Sequence, residues 1–335
     1  MKKNYILILC FSLCISGLNA TVIKVDNNYP SIGDFTAIQA AHDAAANGDT
    51  ILLTPSHIVY GGVTITKTIH LLGAGFATEN SAILRAVVEG AILLNNGAYH
   101  SIIEGIDLRN HRITVDANDI TIKRCKTQGI DVLTDHAGTI ITGNEISCYD
   151  QSINAIIVEA NNIVLIYNNL ITSNSNGFNG YYTIRAYENV NISIYNNLIS
   201  NYFTWNGIET LSININSNTN GFYNNIIFSG QTSGLYDPGY NICSGNQLPA
   251  SNGNMINVDL NTVFVDYANG NYHLKPGSPA IGAGYDGLDI GVYGGVTPFV
   301  DGGYPSIPVI YSLEVPTTGS QQDGVKVTIK ARSNQ

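Results

Sequence analysis

The sequence predicts an all-β fold: a single-stranded right-handed parallel β-helix with an N-terminal capping helix and a C-terminal β-hairpin appendage. Three observations carry this reading. Tyr-Asn-Asn-Leu stands at 167–170 and 195–198, and Tyr-Asn-Asn-Ile at 223–226, in steps of 28 residues. Each copy follows a short alternating run, such as Val164-Leu-Ile166 or Val190-Asn-Ile-Ser-Ile194, and precedes a stretch rich in Gly, Asn and Ser. The chain holds 40 Asn and 34 Gly, the residues that enter left-handed turns at least cost.

Alternation with β-branched residues marks a strand with one buried face. No single copy can bury that face alone, so the copies must stack along an axis as a solenoid. Adjacent coils then lie about 4.8 Å apart, and equivalent side chains form files along the tube. The frame continues upstream in Ile141-Thr-Gly-Asn-Glu-Ile146, 25 residues earlier, and in Ile120-Thr-Ile-Lys-Arg-Cys125, about 19 before that. An Asn at an inward turn can bond its copies above and below, satisfying backbone groups that the bend leaves unpaired. In Ile-Tyr-Asn-Asn the Ile points inward, so Tyr167, Tyr195 and Tyr223 should point outward and stack one strand spacing apart.

The ends follow in order. Residues 1–20 read as a secretory signal peptide, with Lys2 and Lys3, an apolar run from Tyr5 to Ile15, and Leu18-Asn19-Ala20 as the cleavage site. This predicts a secreted or periplasmic chain starting at Thr21, with no membrane insertion after cleavage. The solenoid is assigned to 21–300. Asp34 to Ala46 is Ala-rich and predicts a capping helix, with Asp34 as N-cap and Asn47-Gly48 as the stop. Asp49 to Leu53 then reads as a strand. Pro305-Ser-Ile-Pro308 is a stiff break, after which Val309–Val315 and Val325–Ala331 alternate as two strands. Residues 305–335 are therefore read as a hairpin tail, packed on the solenoid or leading to a partner module.

The chain has 15 basic and 25 acidic residues, and two of the lysines belong to the leader. That balance argues against nucleic acid as the main partner, because phosphate binding needs a net basic face. Cys125, Cys148 and Cys243 remain beyond the leader. An odd, sparse set is not a disulfide framework and reads as buried, idle thiols, with a single disulfide as the alternative in an oxidising compartment.

Phe35 to Gly75, with Ala-Ile-Gln-Ala-Ala, Asn-Gly-Asp-Thr-Ile and Thr68-Ile-His-Leu-Leu-Gly-Ala-Gly75, resembles the opening of pectin-lyase-like right-handed β-helix proteins. The Asn-Asn coils resemble their repeats. Asn271 to Gly284 and Asp289-Ile-Gly-Val-Tyr-Gly-Gly295 resemble the closing segment of many secreted bacterial β-helix proteins. The resemblance spans residues 21 to about 297 and implies the fold. It carries over no catalytic residue, because the superfamily holds lyases, hydrolases, esterases and adhesins. Neither the Arg-x-Pro-x-x-Arg of pectate lyases, nor the Asn-Thr-Asp, Asp-Asp and Gly-His-Gly of polygalacturonases, nor the Gly-x-x-Asp-Phe-x-Phe-Gly of pectinesterases is present.

Chemistry on a β-helix belongs to an outward face, where side chains of successive coils line up. Five cations fall within 109–126: Arg109, Arg112, Lys123, Arg124 and Lys126. Such a cluster suits the carboxylate of an acidic sugar, and its bland reading is a set of solvated positions on two coils. Asp116, Asp135 and Glu159 sit at similar offsets before the Asn frame, with Asp131 near. Carboxylates of this kind could take Ca²⁺ or serve as an acid–base pair, or they are solvated turn acids. His111 and His136 are candidate bases or plain surface histidines. The Tyr167, Tyr195 and Tyr223 file could bear on sugar rings or only brace the ladder. These readings imply a polysaccharide partner, extracellular or of the cell envelope, and one that is acidic. The alternatives are a polysaccharide lyase or glycoside hydrolase, and a structural or adhesion surface protein.

Overall fold

The computed structural model describes residues 20–76, 85–205, 208–209, 211–216, 219–316, 318 and 324–332. Apart from Ala20, the segment read as a leader lies outside the described residues.

Three parallel sheets run along the tube, with nine strands in sheet 1, six in sheet 2 and eight in sheet 3. From Thr121–Lys123 to Gln231–Ser233 each coil visits them in that order, while the earlier coils pass from sheet 1 to sheet 3. One coil runs through Ile163–Tyr167 in sheet 1, Leu170–Ser173 in sheet 2 and Ile184–Ala186 in sheet 3. Asn191–Tyr195 then pairs in parallel on the first of these, with Ile166 beside Ile194 and Tyr167 beside Tyr195. Inward positions are apolar: Ile122, Ile141, Ile166, Ile194 and Phe222 form one fully buried file of sheet 1. Each buried side chain of this size contributes about 1.5–3 kcal/mol against the entropy of ordering it.

The corner between sheets 1 and 2 explains the Asn pair. The second Asn of each pair points inward and is buried in a ladder. Backbone N–H groups of Asn144, Asn169 and Asn197 donate to the Oδ1 of Asn169, Asn197 and Asn225 at 2.9, 2.9 and 3.0 Å. The ladder continues through Asn241 and Asn254, at 2.9 and 3.0 Å. Its last steps are only 16 and 13 residues, and the Tyr-Asn-Asn frame lapses there. At the other end Cys125 N–H donates to Asn144 Oδ1 at 2.9 Å, so Cys125 occupies the ladder position one coil earlier.

The first Asn of each pair has left-handed backbone, with φ 52°, 54° and 59° at Asn168, Asn196 and Asn224. Its side chain turns outward and holds a strap, residues 282–306, that runs back along this corner towards the N-terminal coils. Tyr285 N–H donates to Asn224 Oδ1 at 2.8 Å. Asn196 Nδ2 donates to Asp289 O at 3.1 Å, and Asn168 Nδ2 to Val292 O and Gly294 O at 2.8 and 2.7 Å. Further along, Arg124 Nη1 donates to Tyr304 O at 3.1 Å. A second apolar core, including Leu198, Ile226, Val263, Phe264, Ile290 and Val292, lies between the outward side of sheet 2 and residues 260–299. Sheet 2 is thus covered on both sides.

The capping helix is Ile38–Ala44, shorter than the sequence predicts. Its N-cap is Ala37 with no side-chain bond. Asp34 does not cap it: the carboxylate accepts from Lys24 N–H at 2.8 Å and closes the preceding loop. Ile38 and Ala41 join the core and close the N-terminal end. Val309–Glu314 and Thr328–Arg332 pair antiparallel, as the tail's alternation predicts. Cys125, Cys148 and Cys243 are free and buried, and burial pushes the thiols of Cys125 and Cys243 up to about 12.

Candidate functional site

The outward face of sheet 1 beside the strap gathers the most chemistry. In-register pairing sets Glu104, Lys123, Thr142, Tyr167, Tyr195 and Tyr223 in one file, one residue per coil. The sequence-predicted tyrosines therefore share a file with one predicted cation, Lys123. Their rings stack: Tyr167 on Tyr195 at 5.1 Å and 9°, Tyr195 on Tyr223 at 5.3 Å and 4°. Tyr285 of the strap packs on Tyr223 at 5.6 Å. Burial raises the Tyr195 phenol to about 12 and also raises that of Tyr223.

This stack differs from a flat platform. Rings piled along the axis cover one another, so the column offers edges and hydroxyls to the groove of about 400 Å³ between it and the strap. One ring face is left over. The coil before Tyr167 carries Thr142 at the equivalent position, too small to cover the ring. A notch of about 290 Å³ opens there, lined by Tyr167, Thr142, Lys123 and Arg124, with Thr297 and Ser306 of the strap side.

The floor of the notch is a buried ion cluster around Glu104, which sequence reasoning missed. Glu104 Oε2 lies 3.1 Å from both His70 Nε2 and Lys123 Nζ. Its Oε1 accepts from Ser306 N–H and Oγ–H, each at 3.0 Å, with Arg124 Nη1 at 3.8 Å. Burial alone would raise this carboxyl. The His70 hydrogen bond and the Lys123 charge outweigh that, joined by Ser306, and hold it down at about 2. Only a polar residue closing the apolar run Ile102-Ile103 signals Glu104 in the sequence. Its partners lie 34 and 202 residues away.

The other predicted residues are dispersed. The five cations do not form one cluster, because residues 109–126 travel almost once around the tube. Arg109 is exposed in the turn before sheet 3, at φ 50°. Arg112, in sheet 3, is paired with Asp131, and Lys126, in sheet 2, with Glu145. Only Lys123 and Arg124 reach the notch. Asp116 and Glu159 stand in one file after sheet 3 with Leu133 between them, about 10 Å apart by coil spacing, which is too far to share one cation. Asp135 is in the following turn and accepts from Asn161 Nδ2 at 2.8 Å. Among the described residues, no three His, Cys, Asp or Glu side chains gather closely enough to hold a metal ion. His136 Nε2 pairs with Asp116 at 2.9 Å, away from the notch, and His111 accepts from Thr127 Oγ1 through its carbonyl at 2.7 Å.

Three long all-parallel sheets, wound coil after coil from strands in register, decide the architecture. The fold is a parallel β-helix. No family model matches the chain, and no curated protein does. A crystal structure of pectate lyase Pel9A is similar, with 13% identity over 83% of this chain and 97% of that one, at a TM-score of 0.39. At that distance the activity in its name stays with that protein.

Proposed function

We propose that this β-helix binds an acidic polysaccharide along the outward groove of sheet 1, with one uronate unit in the notch between Tyr167 and Lys123. The observation that carries this is the register placing Lys123, Thr142 and Tyr167 on consecutive coils. Two coil spacings, about 10 Å, leave room for one sugar ring against the open tyrosine face. Lys123 and Arg124 both line the notch, and cations with N–H donors suit a sugar carboxylate. The chain runs on past the notch along the tyrosine hydroxyls. With residues 1–20 read as a leader, this binding takes place outside the cytoplasm.

Calorimetric titration of the full chain with oligogalacturonates tests the proposal. Lys123→Ala should weaken binding at least about tenfold, the loss of one charge-assisted hydrogen bond. Thr142→Tyr should fill the notch and abolish it. Unchanged affinity in both variants, or no binding to any polyuronide, would overturn the reading in favour of a structural role. Ultraviolet absorbance of unsaturated uronide in the same samples, lost in Lys123→Ala, would turn the binder into a lyase.

A further inference from the structure

The C-terminal end of sheet 2 carries a second concavity, separate from the groove of sheet 1. It is about 560 Å³ and is lined by Tyr202, Phe228, Ser229, Ser244, Asp259 and Tyr267 among others. That is within the usual range for small-ligand pockets. Tyr202 is its most telling member. Its ring is 54% exposed although it stands against the buried Phe228, edge to face at 6.0 Å. Beside it lies Tyr272, a phenol whose pKa burial pushes up, with Tyr202 adding to the shift. An aromatic ring braced by a buried neighbour, with much of its surface left to solvent, is pre-organised for stacking.

Two further features lie in the same concavity. Ser229 has φ 144°, a backbone region that residues with a side chain rarely adopt. Strain of this kind persists only where the surroundings fix it, and it gathers at ligand sites. The neighbours do fix it: Ser229 Oγ donates to Asn201 O at 2.8 Å and bonds Ser200 Oγ at 3.1 Å. Asp259 uses Oδ1 to accept from Asn261 N–H at 3.0 Å, while Oδ2 bonds no described residue. The lining thus combines a stacking ring, hydroxyls and one carboxylate oxygen, with no cation.

We infer that this concavity is a binding site for an uncharged saccharide. Tyr202 would stack on the sugar ring, and Asp259 Oδ2 and the Ser244 hydroxyl would bond its hydroxyl groups. An acidic sugar is disfavoured by Asp259, so the ligand class differs from that of the sheet 1 groove, and a glycan with both kinds of unit could be held at two points.

Calorimetric titration of the full chain with cellohexaose, xylohexaose, mannohexaose and galactohexaose is the test. At least one should bind, with Tyr202→Ala and Asp259→Ala each weakening it about tenfold or more and Tyr202→Phe by less than about threefold. Tyr167→Ala should leave that affinity unchanged, which separates this site from the notch whatever the polyuronide titrations give. Asp259 is exposed, so its variant reads binding even if Tyr202→Ala fails to fold. No binding of any of the four sugars, or binding indifferent to Asp259→Ala, would overturn the inference.

Discussion

The coil containing Lys123-Arg124-Cys125 and the one containing Tyr167-Asn168-Asn169 follow the same backbone path with different chemistry. In each, the first residue points outward from sheet 1, the second is left-handed and the third points inward. The later coil holds its turn with amide ladders and stacked rings. The earlier one holds it with a thiol inside and an ion cluster outside, and the same strap is pinned at both. The difference teaches that the fold asks for a backbone donor, a backbone acceptor and a tolerated positive φ at this corner, and that Asn-Asn is one solution among several. The groove exists because the two solutions meet at Thr142-Gly143, which continues neither.

Four substitutions break or sharpen this comparison. The largest effect should come from Asn197→Ala, in the middle of the ladder. Asn197 Nδ2 donates to Ile166 O and Tyr195 O, each at 3.0 Å, and to Asn225 Oδ1 at 3.1 Å, while its Oδ1 accepts twice from Asn169. Truncation leaves several buried groups unpaired and should cost about 3–5 kcal/mol in urea unfolding. A loss below about 1 kcal/mol would mean that the ladder is decoration.

Glu104→Gln tests the other solution and should cost about 3 kcal/mol near neutral pH. The sign follows from a carboxyl held at about 2 in the fold and at its usual 4.5 when unfolded. Its stabilisation is complete above about 4.5 and fades as pH falls towards about 2. Wild type and Glu104→Gln should therefore differ in melting temperature at pH 7 and converge at the acid end. A constant difference across that window would show that the charge is not what matters. Asn168→Gly comes next. Glycine keeps the left-handed turn but releases Val292 O and Gly294 O, so about 1–2 kcal/mol should be lost. Hydrogen exchange should quicken in residues 285–300 while the coil strands stay protected.

Legibility followed the distance over which each feature is encoded. The coil period, the inward Asn and the outward tyrosines are local patterns repeated at 28 residues, and all three hold in the structure. The coils ending at Asn241 and Asn254 were hidden because their steps shrink and the Tyr-Asn-Asn frame lapses. The strap contacts span 124 residues or more at Asn168, a separation that no repeat announces. The cation cluster misled for a reason peculiar to this fold. Where a coil is about 19 residues, neighbours 10 residues apart lie on opposite sides of the tube, so density along the chain is not density in space. Asp34 misled differently: it is a good cap by type, yet the backbone N–H of Lys24 claims it first.

The smallest effect is the most informative about the two solutions, because Cys125 stands at the border between them. Its Sγ lies 3.3 Å from Lys123 O and 3.7 Å from Ile103 O, the positions that correspond to the carbonyls bonded by Asn169 Nδ2, Tyr167 O and Ile141 O. Ile106, one coil earlier by the pairing of Asp107 with Lys126, stands where a ladder N–H meets Oδ1. An amide placed here therefore finds two acceptors already waiting, with the Ile106 N–H at the register of a ladder donor. Cys125→Asn should extend the ladder by one rung, with hydrogen bonds worth about 1 kcal/mol each set against the strain of added volume in a packed interior. The melting transition should stay within about 1 kcal/mol of wild type. A loss above about 2 kcal/mol would mean that the N-terminal coils are packed for a small apolar side chain, and that the two chemistries are not interchangeable on one backbone.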